Sequence, residues 1–482
     1  MEKENKNSSF TIEQNGINVI DESERKGKAS SLFWPWFAAN ISVLSVAYGA
    51  FVLGFGLNFW QALIAAVIGA LGSFLLVGFI SLSGKRGSAP TMVLSRAAFG
   101  VKGNILPGII SWVLLVGWET VLVVLSTLAT ATVFQQLGWA SGNMTKVIAF
   151  IVVIVIIVGT GVLGLDAIMN VQKWLTIILS IVTIGYFILS AHKIDLSSLG
   201  QLKAGSWQAT VGAGIMVATA LGLGWINSAA DYSRYLPRKT SGKSVVGWTT
   251  FGGTLAPVIL IFFGLLLVAS QPGGVSSKLG QAISADPIGA LATILPTWYL
   301  IPFIIVAVGS LVSGAVMDIY SSGLTLLSLG LPIKRWVGTC IDGIVMFLGT
   351  IAIVWFSKNF VGPFEAFLGF VGVPISVWGG IFLGDFVLRQ KDYDEKDLFD
   401  ENGRYGSVNW IAIISMIVST FIGWGLTMQS LSWLSWLGFL FKPLHLDINV
   451  WGYSGLGIII ALIFGFFTPF LNIRRIKEQE SK

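Results

Sequence analysis

Three carboxylates and two tryptophans stand where the surrounding residues are almost wholly apolar. Glu119 follows Trp118 in SWVLLVGWETVLVVLST, and Asp318 comes after Ser310 and Ser313 in VGSLVSGAVMDIYSSG. Asp231 lies in GLGWINSAADYSRYLPRK, with Trp225 and Asn227 before it and Arg234 after it. A carboxyl group inside a hydrophobic helix is costly, and such groups mark substrate sites, proton relays or ion paths. Glu119 is therefore a candidate substrate or proton site, and Asp318 a second functional carboxylate. Asp231 and Arg234 are three apart on one helical face, a spacing that suits a salt bridge acting as a structural or gating clasp. Gly222 and Gly224 weaken the same helix, and Trp225 and Asn227 beside them suit a ligand. A milder break occurs in WFAANISVLSVAYGAFVLGFG, where Asn40, Ser42 and Ser45 interrupt the apolar run.

The elements that must position these residues are membrane helices. Of 482 residues, 54% are hydrophobic and 11% charged, against about 25% charged in soluble proteins, and the mean hydropathy is +0.79. A spanning helix takes about 20 apolar residues. Twelve stretches qualify: 35–57, 60–82, 105–136, 146–164, 170–191, 209–234, 247–270, 298–329, 336–356, 360–388, 408–430 and 450–473. With this count, 24 lysines and arginines fall on the side of the N-terminus and 6 on the other. The positive-inside rule then places both termini in the cytoplasm, and the plasma (inner) membrane is the expected location. The expected fold class is an all-α membrane protein with a disordered cytoplasmic tail over 1–30 and a second cytoplasmic tail over 474–482. The acidic part of 389–407 reads as a solvated loop, and 271–297 as an outer linker with room for a short helix.

The first and sixth spans both carry a polar interruption, and five helices separate them. An odd spacing makes them cross the membrane in opposite directions, which is the layout of an inverted repeat. Residues 31–191 and 205–390 are the expected repeats, with 408–473 adding the last two helices. Transporters of this design bind their cargo where the first helix of each repeat is broken.

Several stretches resemble the nucleobase:cation symporter-1 family in its purine–cytosine permease branch. These are PTMVLSRAAFGVKGNILPGIISWVLLVGW at 90–118, GWINSAADYSRYLP at 224–237 and RYGSVNW at 404–410. The resemblance implies a leucine-transporter-type 5+5 inverted repeat plus two C-terminal helices, and cation-coupled import of a heterocycle. It implies that Trp118 and Trp225 stack on the two faces of a flat ring, with Ser45, Glu119 and Asn227 in the same substrate-binding set. Asp318 takes a position where many members carry asparagine. An ionised carboxylate only accepts hydrogen bonds, so that position favours a guanine-like edge, or a cationic heterocycle or amidine. The family's sodium site falls by position near Ala39, Ser42, Val43, Gly309 and Ser313. Val312 stands where some members have a hydroxyl, and a protonatable Glu119 or Asp318 offers proton coupling instead.

Other classes fit less well. No nucleophile elbow, phosphate loop or metal-ligand cluster is present in the sequence, so an enzyme is not expected and no cofactor is implied beyond a coupling ion, sodium or proton. The net charge of +6 sits in short loops beside apolar segments, so membrane lipid, not nucleic acid, is the expected neighbour. A passive facilitator of the same fold is the remaining alternative.

Overall fold

The computed structural model describes residues 16–140, 142–163, 165–357, 360–429 and 431–481. The described residues form helices and turns without a strand. In chain order the principal helices are α1 (Phe33–Asn40), α2 (Val43–Leu53), α3 (Phe59–Gly87), α4 (Ile105–Gln136) and α5 (Asn143–Leu163). They continue with α6 (Leu165–Ser190), α7 (Trp207–Ala220), α8 (Gly222–Trp225), α9 (Gly242–Ala269) and α10 (Leu300–Ser328). The series ends with α11 (Arg335–Phe356), α12 (Val361–Leu388), α13 (Trp410–Gly425), α14 (Leu456–Phe467) and α15 (Ile473–Ser481).

Ten described helical segments are long and apolar enough to cross a membrane, and α1 with α2, bent by 65°, makes an eleventh if counted as one span. The remaining expected span, 408–430, corresponds to α13, which has 16 residues. At 1.5 Å per residue it extends about 24 Å, short of the roughly 30 Å of a hydrocarbon core.

The outer surface is what a lipid environment requires. Ile64, Ile68, Leu71, Leu75 and Phe79 follow one another at helical spacing on α3, and all are exposed. In water such a stripe would be an aggregation surface, whereas in lipid it is solvated. The centre is built from α4 and α10, which pack along much of their length, with α5, α11 and α12 against α4 and α1, α5, α6 and α11 against α10, while α9 packs on α2 and α3. The 271–297 linker holds two short helices, Lys278–Ala285 and Pro287–Ala292. Asp286 caps the second and accepts from Thr132 of α4 at 2.6 Å.

One end of the bundle gathers arginines, and here three expectations change. Residues 16–30 belong to the segment expected to be disordered, yet they pack against the helices. Ile20 N–H donates to the Ser88 carbonyl, Lys26 N–H to that of Tyr235, and Ile20 itself is fully buried. Residues 1–15 lie outside the described residues. The 389–407 segment is tied down as well. Asp392 and Glu395 pair with Arg86, Arg25 and Arg238, while Asp394 and Asp397 hold Arg404. Basic loops gathered at one end give these acids partners that composition alone does not reveal. The expected C-terminal tail is α15, whose Gln479 accepts from Arg389 at 2.7 Å.

The hydrogen bond from Arg238 holds the Glu22 carboxyl below the usual glutamate range. A lowered value means the pairing is intact above the free-glutamate value of about 4.3 and is lost only as pH falls through the lower folded value. The Glu22–Arg238 contact is therefore kept throughout the neutral range. Arg238→Ala removes contacts to Glu22, Asp392 and Glu395 together. We expect trypsin to cut at Lys391 and Lys396 several-fold faster in this variant, with little change in melting temperature, because exposed pairs contribute only about 0–1 kcal/mol each. Equal cutting rates would show that the cluster does not hold the segment.

Candidate functional site

The two polar interruptions seen in the sequence are real breaks, and they meet. α1 ends at Asn40, Ile41 leaves helical geometry, and Ser42 caps α2 by accepting from Leu44 N–H at 3.3 Å. α7 ends at Ala220, and Leu221 adopts φ −116°, ψ −105° before α8 begins. Backbone polar groups freed in an apolar bundle must find partners in the protein. Ser73 of α3 supplies one, accepting from Gly222 N–H at 3.1 Å.

Between the breaks lies a cavity of about 40 Å³, room enough for ordered water. Ala39, Ser42, Ser45 and Tyr48 line it from the first break, and Leu221 and Trp225 from the second. Trp118 closes it from α4, and Ser310 and Gly314 from α10. No charged side chain lines it among the described residues. Of the expected substrate set, Trp118, Trp225 and Ser45 are thus brought together. The two indoles are braced from outside: Trp225 stands edge-on to Trp36 at 5.7 Å, and Trp118 edge-on to Phe364 at 5.7 Å. The Trp118 indole N–H is buried with no protein partner.

Gly222 and Gly224 have a packing role besides loosening the helix. A Cβ on Gly222 would come within 2.3 Å of the Ser73 backbone, and one on Gly224 within 2.9 Å of Trp118 Nε1. Gly224 makes the space in which the Trp118 ring sits.

The remaining expected substrate residues point elsewhere. Asn227 is fully buried and donates to Ser111 Oγ at 2.6 Å, fastening the second break to α4. Glu119 turns away from the cavity beside its neighbour Trp118, and its Oε1 lies 2.7 Å from Ser322 Oγ of α10. Asp318 is buried on α10, one turn before Ser322, and does not line the cavity. Adjacent residues on a helix face different directions, and here Trp118 lines the cavity while Glu119 does not. Asp231 does not pair with Arg234. Its carboxylate accepts from Thr91 N–H at 2.7 Å and Thr91 Oγ at 2.8 Å, while Arg234 donates to the Tyr320 hydroxyl at 2.9 Å and the Gly16 carbonyl at 2.8 Å.

The five expected cation ligands are also divided. Ala39 and Ser42 face the central cavity, and Val43 is a buried first residue of α2. Gly309 and Ser313 border a different crevice of about 560 Å³, whose walls include the outward-facing Ile301 and Ile305. Where α1 meets α10, Ser313 Oγ lies 3.2 Å from the Ala38 carbonyl. A side chain already occupies this seam. Gln172 of α6 donates to the Ser313 carbonyl at 2.8 Å, and its amide oxygen accepts from the Ser313 hydroxyl. The Ser313 hydroxyl, the Ala38 carbonyl and the Gln172 amide oxygen thus converge in this seam, while Val312 brings no hydroxyl to it.

Three residues of consequence escape a search for charge at mid-span. Gln172 is an uncharged amide at the start of an expected span. Asp342 lies in GTCIDGIVMFLG, a few residues into another, and accepts from Ser322 Oγ at 2.8 Å and Trp112 Nε1 at 2.6 Å. Tyr48 sits one turn after Ser45, a spacing that helical periodicity could have flagged.

Comparison with known proteins fits this architecture. Residues 19–444 match the family model described as "Permease for cytosine/purines, uracil, thiamine, allantoin". The "Putative purine-cytosine permease" of Bacillus subtilis is 27% identical over 424 residues, covering 85% of this chain and 86% of that protein. The cytosine permease of Escherichia coli is 25% identical over 383 residues, covering 77% and 80%. Mhp1, a nucleobase-cation-symport-1 family transporter solved in a closed conformation with bromovinylhydantoin bound, superposes with a TM-score of 0.73 at 17% identity, covering 98% of this chain and 96% of that one. The chain spans a membrane several times, it is a transporter and not an enzyme, and it belongs to the nucleobase:cation symporter-1 family of purine–cytosine permeases.

Proposed function

We propose that this protein is a cation-coupled symporter that imports a neutral, planar, nucleobase-like heterocycle by alternating access. The observation that carries the reading is the cavity between the two helix breaks, walled by Trp118 and Trp225 and free of charged side chains. Indole faces suit a flat ring, because buried aromatic pairs gain about 0.5–1.5 kcal/mol beyond their area. The serines at 42, 45 and 310, Tyr48 and the unpartnered Trp118 N–H supply donors and acceptors for a ring edge. Family membership and the relatives named as purine-cytosine and cytosine permeases support the same substrate class.

In this reading the chain has twelve spans, counting the bent pair as one and α13 as a short one, arranged as two inverted repeats of five plus two. Both ends face the cytoplasm, and the arginine-rich end is the inner one, as the positive-inside rule requires. A cationic heterocycle or amidine is disfavoured, because Glu119 and Asp318 are turned away from the cavity. A passive facilitator is separated by accumulation: only a coupled carrier concentrates its substrate.

Radiolabelled cytosine, adenine, hypoxanthine, uracil and a hydantoin, offered to proteoliposomes under imposed ion gradients, test the reading. Concentrative uptake of at least one is expected, and equilibration without accumulation would establish a facilitator. Trp118→Ala and Trp225→Ala should each weaken binding about tenfold, the equivalent of about 1.4 kcal/mol, measured by calorimetric titration. Retained affinity in both would remove the ring sandwich. Gly224→Ala should weaken binding by displacing Trp118 while leaving the folded fraction unchanged in size-exclusion profiles. Asp318→Asn should leave the substrate order unchanged, since the carboxylate does not face the cavity. A reordered panel would place Asp318 at the substrate.

A further inference from the structure

We propose that Glu119 and Asp342, bridged by Ser322, form a proton-carrying pair, and that the proton is the coupling ion of this transporter. The inference rests on the transport reading above and names the ion that reading leaves open.

The geometry is that of two acids on one hydroxyl. Ser322 Oγ lies 2.7 Å from Glu119 Oε1 and 2.8 Å from Asp342 Oδ2, and all three residues are fully buried. A serine hydroxyl has one hydrogen to donate. It satisfies one carboxylate, and the second contact then sets oxygen against oxygen. That second contact is attractive only when the other carboxyl carries a proton and donates it to Ser322. Trp112 Nε1 already donates to Asp342 Oδ1 at 2.6 Å, which stabilises Asp342 as the acceptor. Glu119, whose Oε2 is buried without a partner, is then the carboxyl that holds the proton. Two like charges cannot both be carried at such separation in a dry interior without a compensating cation.

No cation compensates them among the described residues: neither Glu119 nor Asp342 has an ion pair or any further interaction with a basic side chain. On α10 the neighbouring titratable group is another acid, Asp318. On α11, Arg335 lies about two turns before Asp342 and donates to the Gly161 and Val162 carbonyls, while Cys340 is a free thiol. On α5 the one ionisable residue is Lys146, in the first turn. Tyr232, from beyond the second break, turns its hydroxyl to Ser321 and the Met317 carbonyl.

The pair is placed to communicate with the cavity. Glu119 is peptide-bonded to Trp118, and Ser322 lies on the same α10 that presents Ser310 and Gly314 to the cavity. With one proton bound, Ser322 holds α4, α10 and α11 together. With the proton released, two carboxylates face each other and the junction is driven apart. A proton that stabilises one arrangement of these helices over the other shifts their equilibrium by that difference.

Infrared difference spectra of the purified full-length protein in lipid test the pair without any substrate. Spectra recorded from about pH 6 to about pH 9, a range in which free carboxyls are ionised, should show a carboxylic-acid carbonyl band in the wild type. The band should weaken in both Glu119→Gln and Asp342→Asn. A wild-type spectrum with no such band overturns the proposal, and this arm holds even if the variants fail to fold. In proteoliposomes, an inward proton gradient should drive accumulation of radiolabelled cytosine or another accepted member of the panel, and a sodium gradient should not. Asp342→Asn should lose at least tenfold in proton-driven accumulation while retaining exchange between equal solutions. Accumulation driven by sodium and indifferent to protons overturns the proposal while leaving the symporter reading intact. If no heterocycle is moved at all, the substrate reading fails and the infrared band alone decides the pair.

Discussion

The structure depends on a rule of apolar surroundings: a peptide group released from a helix must be met by another part of the protein. Two helices break this rule's usual solution, at Ile41 and at Leu221. The neighbouring elements are arranged around the repair. Ser42 caps α2, Ser73 receives the Gly222 N–H, and Asn227 fastens the second break to Ser111. The cavity is the space that these repairs leave unfilled. Its indole walls, its glycine-cleared floor and its neutral lining follow from which side chains could approach the two gaps.

Much of this was legible in the sequence, because the relevant signals are departures from uniformity. An apolar run announces a membrane helix, and a cluster such as Asn40, Ser42 and Ser45 announces its interruption. Trp118, Trp225 and Ser45 line one cavity, the two tryptophans as the family resemblance implied. What could not be read was direction. Trp118 and Glu119 are neighbours in sequence, and the helix turns them to different partners. Asn227 is the polar residue closest to Trp225, yet it faces α4. The seam filled by Gln172 was equally hidden, since it depends on which face α6 presents to α10.

Charge is sorted by depth in a consistent way. At the arginine-rich end, acids and bases meet in a wet, partly exposed cluster, where each pair contributes little and many contribute together. Between α4, α10 and α11, acids gather without bases. Glu119, Asp318 and Asp342 lie within three adjacent helices, and the described interactions bring no arginine or lysine to them. The first arrangement fastens loops. The second is stable only if its protons are kept.

The docked segment that contains Gly16 and Arg25 has a practical bearing on how this protein is handled. Its Gly16 carbonyl reaches the buried Arg234, and its Arg25 reaches the 389–407 segment. An affinity tag or fluorescent fusion joined close to Gly16 would compete with those contacts, and trimming the chain into this segment would uncover the Arg234 guanidinium. Expression vectors that leave this segment intact keep that arginine covered and the arginine-rich end assembled.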